Sequence, residues 1–275
     1  MIALLKKVPP TALVGLMITA LFFLIAVFAP LIAPFGIGEV VGKPWDPASA
    51  SHWLGTDNVG RDLLTRMIYG GRTTIFVATA ATILSFVTGS VLGFMAVVIG
   101  GWFDMILSRF VDLLMSIPGL IFALVILSVV PPTLMTLILV MAFLDATRVY
   151  RLSRSVAEGI HVMDYIEVAK LRKERTAWVV FSEILPNALS PLVSELGLRF
   201  IFMVLYLSTL SFLGLGIQPP ATDWGAMVKE NSDGLVYGVP AALVPAIAIA
   251  TLAISVNLVA DWVLTLTTSQ KGGRQ

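Results

Sequence analysis

The sequence contains no cysteine, which excludes disulfide bonds and thiolate metal sites. Its two histidines, His52 and His161, do not form the His-Glu-x-x-His motif that an intramembrane zinc protease would need. The Gly-x-x-x-x-Gly-Lys-Ser/Thr motif of phosphate-binding loops is also absent. Uphill transport by such a chain would therefore need energy from another subunit, and no metal or cofactor is expected in the chain itself.

Charged residues are scarce as well. They make up 13% of the chain, whereas about 25% is usual for a soluble domain, and the mean hydropathy is +0.93. They are missing altogether from five long intervals, which indicates a membrane protein. These intervals lie between Lys7 and Glu39, Arg72 and Asp104, Asp112 and Asp145, Arg199 and Asp223, and Asp233 and Asp261.

The apolar intervals predict transmembrane helices. A helix that crosses a bilayer needs roughly 20 mostly apolar residues, and continuous apolar runs favour helices over alternating strands. Pro131-Pro132 divides the third interval into two spans, because proline removes a backbone donor. The sequence thus predicts an all-α polytopic membrane protein with six transmembrane helices. They are placed at 11–33, 73–99, 104–129, 133–156, 188–214 and 241–266.

Basic residues predict the orientation, because Lys and Arg are enriched in cytoplasmic loops. With six spans both termini lie on one side, and that side carries eleven basic residues against five. Both termini are therefore predicted to be cytoplasmic, and the first span to be retained rather than cleaved. The larger set is Lys6, Lys7, Arg148, Arg151, Arg154, Lys170, Arg172, Lys173, Arg175, Lys271 and Arg274, and the smaller is Lys43, Arg61, Arg66, Arg72 and Lys229.

Residues 165–187 form a charged segment between two apolar spans, on the predicted cytoplasmic side. Within 176–185 apolar residues recur at helical spacing, which predicts an amphipathic helix with Thr176 as its N-cap. Pro186 is expected to end this helix. The apolar positions are Ala177, Val180, Phe181, Ile184 and Leu185.

A shorter helix is predicted upstream, from Tyr165 to Leu171, with Glu167 and Lys170 one turn apart. Two short helices with an apolar face and small residues, Ala169 and Ala177, can enter a groove on a partner, as amphipathic helices do. The alternative is a polar loop whose basic residues only set the orientation.

Four stretches of this sequence resemble one family. Glu167-Val168-Ala169, followed by Pro186-Asn187, resembles the coupling motif of ABC importer permeases. Three further segments are similar to the C-type inner-membrane permease of the dipeptide, oligopeptide and nickel importers, and together they extend the resemblance over about residues 50–260. They are His52 to Asp62 with Ile68-Tyr69-Gly70; Arg109, Asp112 and Ser116-Ile117-Pro118; and Leu210 to Gly216 with Pro219-Pro220 and Trp224-Gly225.

The resemblance implies a type I ABC importer permease fold in a bacterial inner membrane. It divides the chain into 1–72 (first transmembrane helix and first outer loop), 73–266 (a permease core of five transmembrane helices, with coupling helices at 165–187) and a cytoplasmic tail, 267–275. It also implies a second homologous permease, two cytoplasmic ATPase subunits or domains that bind ATP and Mg²⁺, and an extracytoplasmic solute-binding protein. The chain would then be a non-catalytic subunit that binds no nucleic acid.

The resemblance also suggests which residues act. The family's coupling-turn glycine falls at Lys173, and because glycine permits a positive φ, a change of turn geometry is expected there. Residues expected to couple to the ATPase are Glu167, Ala169, Lys170, Thr176, Phe181 and Pro186. Outer-loop candidates are His52, Gly55, Asp57, Gly60, Arg61, Asp62 and Trp224.

Two groups of polar residues have more than one interpretation. His52, Asp57 and Asp62 could be imagined as metal ligands, but their spacing favours turn and capping aspartates. Three pairs are spaced for contact within one helix and are expected to hold helices in register; alternatively they line a pathway or bond to a partner permease. The pairs are Arg109 with Asp112, Glu195 with Arg199, and Asn257 with Asp261.

A self-contained ion-coupled secondary transporter or channel is the main alternative. It would need an ionisable residue near the bilayer midplane, and Asp145 is the best candidate, although Arg148 nearby predicts a local ion pair. A membrane scaffold or enzyme is a second alternative, but the sequence offers no catalytic set. Peptides, nickel complexes, opines and sugars all remain open as the substrate.

Overall fold

The computed structural model describes residues 8–272, without the side chains of residues 170, 190 and 267–272. Within that range the chain is helical, and its only β pairing consists of two isolated bridges in the first outer loop. The predicted all-α fold is therefore confirmed. The helices are α1 (Pro10–Ile32), α2 (Leu63–Ile99), α3 (Gly101–Ser116), α4 (Gly119–Val129), α5 (Leu134–His161), α6 (Asp164–Leu171), α7 (Thr176–Trp178), α8 (Leu185–Phe212), α9 (Trp224–Asn231) and α10 (Leu243–Gly272); a π-helical segment (Val179–Ile184) joins α7 to α8.

Some of the predictions fall on residues that the structure does not describe. Lys6, Lys7 and Arg274 and the side chain of Lys271, which enter the orientation argument, lie outside the described residues. The same holds for the side chain of Lys170 and for the side chains of the predicted tail, 267–275.

Four helices are long and apolar enough to cross a membrane: α1, α2, Pro191–Phe212 in α8, and Pro240–Leu266, which contains most of α10. A fifth span results if α3 and α4, which are bent by 85° relative to each other, are taken together. Helix α5 has 28 residues, but three charged residues lie within its first 18. A multi-pass membrane protein is thus confirmed, whereas six spans are not established by length and composition.

The helix predicted over 104–129 is not continuous. Helix α3 ends at Ser116, Ile117 takes extended backbone angles (φ −92°, ψ 129°), and α4 begins at Gly119. Pro118 is the cause, because its ring disfavours helical angles in the residue before it. The next predicted break, at Pro131-Pro132, is confirmed: α4 ends at Val129, and α5 begins after a capping box formed by Thr133.

Helix α2 is longer than predicted, since it begins at Leu63 rather than at residue 73. Its start is fixed by Asp62, whose carboxylate accepts a hydrogen bond from the backbone N–H of Thr65 at 2.7 Å. The first turns of α2 therefore lie within the outer-loop region and are held by it.

Helices α2 and α5 form the central pair of the fold, and glycine lets them approach closely. A Cβ atom at Gly89 would lie 2.7 Å from the carbonyl oxygen of Ala146, and one at Gly93 would lie 2.8 Å from that of Tyr150. Small residues spaced by four are a common basis for helix contact in membranes. Helix α10 packs on α1 and α8.

Candidate functional site

The segment from α6 to the start of α8, residues 164–187, is called the elbow here. One side of it is anchored in the protein. Ile166, Val180 and Ile184 are almost completely buried and belong to one apolar cluster with Phe86 of α2 and Val149 of α5. The elbow is therefore packed against both central helices, α2 and α5.

The apolar face that the sequence predicts to contact a partner is therefore mostly buried within the chain itself. Val180 and Ile184 point inward, and so does Ala169, which is 3% exposed. Ala169 therefore fixes α6 to the core instead of reaching a partner. Phe181, in contrast, is 54% exposed, and Glu167, Thr176 and Pro186 are exposed as well.

The turn between α6 and α7 keeps a geometry that usually requires glycine. Lys173 has φ +58°, and the backbone N–H of Glu174 donates to the carbonyl oxygen of Ala169 at 3.2 Å. This bond, together with a left-handed residue just before its donor, defines the Schellman ending of a helix. The change of turn geometry expected at Lys173 is therefore not seen, because the lysine itself adopts the left-handed conformation.

Two predicted boundaries within the elbow are wrong. Thr176 is the first helical residue, and Arg175 occupies the N-cap position with no side-chain capping bond. Pro186 does not end a helix, because the chain continues from the π-helical segment into α8, where Pro186 lies in the first turn and needs no N–H donor of its own. Residues 176–212 consequently form one continuous helical unit, which includes the second half of the elbow and α8.

The pairs predicted within single helices have different outcomes. Glu195 and Arg199 form an ion pair, as predicted, and Asn257 donates to Asp261 at 3.5 Å. Asp112, however, pairs with Arg151 of α5 at 2.6 Å rather than with Arg109. The position of α5 beside α3 decides this contact, which is not visible in the spacing along one helix. Arg109 is exposed and has no ion pair among the described residues.

Asp145 does not pair with Arg148, contrary to the prediction. Its carboxylate accepts a hydrogen bond from the hydroxyl of Ser85 at 3.0 Å and lies 3.5 Å from Arg199. Because these partners come from α2 and α8, Asp145 of α5 links three helices. Arg199 also pairs with Glu195, so two carboxylates share one guanidinium group, and the charge of Arg148 acts on Asp145 without forming an ion pair with it.

The two outer loops are joined by a buried ion cluster. Asp57 accepts hydrogen bonds from Arg61 Nε at 2.6 Å and from Arg66 at 2.7 Å. Both arginines also pair with Glu230 of α9. Burial would raise the pKa of Asp57, but the backbone N–H groups of Arg61 and Val59 and the two guanidinium charges hold its pKa below the ordinary value of 3.8. Asp57 is therefore ionised at neutral pH.

The remaining outer-loop candidates support this cluster. His52 Nδ1 lies 3.3 Å from Asp62, the cap of α2, and Gly55 and Gly60 have positive φ of 76° and 86°. The indole N–H of Trp224 donates to the carbonyl oxygen of Met67 at 3.0 Å. Asp62 accepts from the backbone N–H of Thr65, and Asp57 accepts from those of Val59 and Arg61, which are the capping and turn roles predicted for these aspartates.

Asp223 caps α9, with its carboxylate accepting from the backbone N–H groups of Gly225 and Ala226. Burial raises the pKa of Asp223 to about 6, although the hydroxyl of Ser211 and these N–H groups oppose the shift. The carboxyl group of Asp223 therefore takes up a proton more readily than an exposed carboxyl group does.

A cavity of about 410 Å³ lies where α3, α4, α5 and α8 meet. The irregular backbone at Ile117-Pro118 lines it, and the hydroxyl of Tyr206 donates to the carbonyl oxygen of Gly119 at 2.7 Å. Non-helical backbone at membrane depth is tolerated only where it is buried in protein or borders a water-filled space. The break in the helix and the cavity thus belong together.

The cavity was not foreseen from the sequence. From the sequence, Arg148 was assigned to the cytoplasmic set of basic residues and considered as a partner for Asp145, and Tyr206 was given no role. The available signal was Pro118, since a proline inside an apolar run predicts irregular backbone, and irregular backbone in a membrane predicts an adjacent polar space.

Comparison with known proteins supplies the family. Residues 85–268 match the family described as "Binding-protein-dependent transport system inner membrane component". The chain is 32% identical over 251 residues to the dipeptide transport system permease protein DppC of Alkalihalophilus pseudofirmus, covering 91% of this chain and 83% of that protein. It is 30% identical over 227 residues to the oligopeptide transport system permease protein OppC of Bacillus subtilis, covering 82% and 74%.

These matches agree with the four resembling segments, and they give no support to the ion-coupled transporter or channel. The engagement of Asp145 with Ser85 and Arg199 accounts for its burial without a relay. With the match extending over more than half of its length, the chain belongs to the family of binding-protein-dependent transport system inner membrane components and is a permease subunit of an ATP-driven importer.

Proposed function

We propose that this chain forms half of a translocation pathway for peptides, beside a second homologous permease. The relatives named above are permeases of dipeptide and oligopeptide transport systems, which supports this substrate class. The cavity bordered by α3, α4, α5 and α8 is this chain's part of the pathway. ATP and Mg²⁺ are bound by two cytoplasmic ATPase subunits, and the chain itself is not catalytic.

The elbow is the main support for this proposal, because one of its sides is buried against the protein and the other is exposed. Ile166, Ala169 and Ile184 fix it to α2 and α5, while Glu167 and Phe181 face outward. An exposed phenylalanine among charged side chains is suited to a groove on a partner protein. The elbow is therefore the surface that receives the ATPase subunits, on the same side as both chain termini.

A movement of the elbow would be transmitted to the cavity through α8. From Thr176 onward the elbow continues into α8 without a break. Helix α8 contributes Arg199 to the junction with Asp145 and Tyr206 to the cavity. Closure of the ATPase subunits on ATP would push the elbow, turn α8 and change the access to the cavity. Hydrolysis would reset the arrangement, which is the alternating-access cycle.

The two outer loops, on the side opposite the elbow, are suited to dock the solute-binding protein. The cluster of Asp57, Arg61, Arg66 and Glu230 joins the two outer loops into one rigid unit. A surface that is already ordered loses less conformational entropy on binding. We place the docking of the extracytoplasmic binding protein on this unit.

Co-purification with the ATPase subunits tests the proposal. Glu167→Arg reverses the charge of an exposed elbow residue and is expected to abolish retention of the ATPase subunits and ATP-dependent peptide uptake in proteoliposomes. Asp233→Arg makes the same change on an exposed residue of the second outer loop and should leave retention unchanged. Wild-type retention by the Glu167→Arg variant, or peptide uptake by the chain alone without ATPase subunits, would refute the proposal.

A further inference from the structure

Arg148 is the charged side chain of the cavity that has no ion pair. The cavity also contains Asp145, but that carboxylate is engaged by Ser85 and Arg199. Arg148 is exposed, and among the described residues it forms no ion pair. Its charge acts on Asp145 without an ion pair between them, so the cavity presents one guanidinium whose donors bind no acceptor among the described residues.

Such a guanidinium needs an explanation, because an ionised side chain at membrane depth is costly. The cost is reduced when the side chain faces water or a ligand, and such residues commonly mark a substrate pathway. Arginine keeps its charge at any physiological pH, and its planar fork matches a carboxylate with two parallel hydrogen bonds. An anionic group is the natural partner for Arg148.

The rest of the cavity suits the other part of such a solute. Met115, Met141, Met203, Leu144 and Phe202 are among its lining residues. Methionine side chains are flexible and adapt to different apolar surfaces. Its volume of about 410 Å³ lies in the range of small-molecule sites. The cavity lining thus combines one guanidinium group with flexible apolar side chains that can contact different apolar groups of a solute.

We propose that Arg148 binds the carboxylate of the transported solute as it passes through the cavity, so that this permease favours solutes that carry a free carboxylate beside an apolar group. This inference rests on the proposed function and names the substrate class of the same pathway. Arg148 is a specificity-determining residue within the permease, separate from any selection by the binding protein.

The competing explanation is that Arg148 pairs with an acidic residue of the second permease. The two differ in one measurable respect. A subunit contact affects every solute equally, whereas a solute contact affects only the solute that carries the carboxylate.

The experiment uses the complete importer in proteoliposomes with ATP, and compares Ala-Phe with Ala-Phe-amide, each at a concentration that saturates the binding protein. Arg148→Gln is expected to lower the uptake of Ala-Phe about tenfold, the factor equivalent to ~1.4 kcal/mol, and to leave that of the amide within about twofold. Arg148→Lys, which keeps the charge, should restore part of the difference. Arg72→Gln, an exposed arginine of α2 outside the cavity, is the matched control and should change neither rate.

Three results would overturn the inference: an equal fall for both peptides, unchanged uptake of both, or loss of the second permease from the purified Arg148→Gln complex. Failure of the proposed function looks different. In that case the wild-type complex shows no ATP-dependent uptake of either peptide, and the binding protein does not stimulate its ATP hydrolysis.

Discussion

Tyr206 of α8 donates its hydroxyl hydrogen to the carbonyl oxygen of Gly119, 2.7 Å away, at the point where the α3–α4 span is broken. Gly119 is the first residue of α4, so its carbonyl group already accepts an intrahelical bond, and the tyrosine adds a second donor to the same oxygen. The contact therefore couples the helix that continues from the elbow to the start of α4, next to the irregular backbone that lines the cavity.

The first prediction concerns this bond. Tyr206→Phe should lower the free energy of unfolding by about 1 kcal/mol, because it removes a hydrogen bond that joins α8 to α4. The melting temperature should fall by about 2 °C in a chain of this size, measured by scanning fluorimetry at one heating rate. Tyr237→Phe, on a tyrosine that is 74% exposed in the second outer loop, is the control and should have no effect. Equal melting temperatures for both variants would contradict the prediction.

The second prediction concerns the contact between α2 and α5. Gly89→Ala adds a methyl group whose carbon would lie 2.7 Å from the carbonyl oxygen of Ala146, so the helices must separate. We expect a loss of about 1–3 kcal/mol, the usual cost of overpacking. Gly159→Ala is the same substitution in α5, with no atom within 4 Å, and should stabilise the helix by up to about 1 kcal/mol. Melting temperatures that move in opposite directions are the expected result.

The sequence predicted the membrane class and most span positions, because charge is excluded from lipid wherever the chain crosses it. It did not predict the bend at Pro118, although the proline was visible. A long apolar run suggests one continuous helix, and only the cavity shows where the irregular backbone at Ile117-Pro118 lies.

The elbow illustrates a second limit. Helical spacing predicted an amphipathic segment, but spacing does not say what covers the apolar face. Phe86 and Val149, far away in sequence, bury Val180 and Ile184 and leave Phe181 exposed. The partner of Asp112 was missed for the same reason, since Arg151 is 39 residues away.

The third prediction tests the left-handed turn of the elbow. Lys173→Val should destabilise the turn by about 1–2 kcal/mol, because a branched side chain is disfavoured at positive φ. Amide hydrogen exchange in peptides covering 166–174 should then accelerate about tenfold. Lys173→Gly should not accelerate it, since glycine adopts this conformation without strain. Arg175→Val, at a residue with φ −69°, is the control, and acceleration equal to that of Lys173→Val would contradict the explanation.

The fourth prediction concerns the pH dependence of the outer-loop cluster. The pKa of Asp57 lies below 3.8 in the folded protein, so its contribution to stability is present above that value and is lost as the pH falls through the folded pKa. Asp57→Asn should lower stability at neutral pH by about 3 kcal/mol, because Arg66 is left buried with one partner fewer. The difference in melting temperature between wild type and variant should stay constant from pH 8 to about pH 5 and shrink below the ordinary carboxyl pKa of 3.8. Asp233→Asn, on the exposed surface, should show no such change, and a wild-type advantage over Asp57→Asn that persists undiminished at pH 3 would show that the charge of Asp57 is not what holds the two loops together.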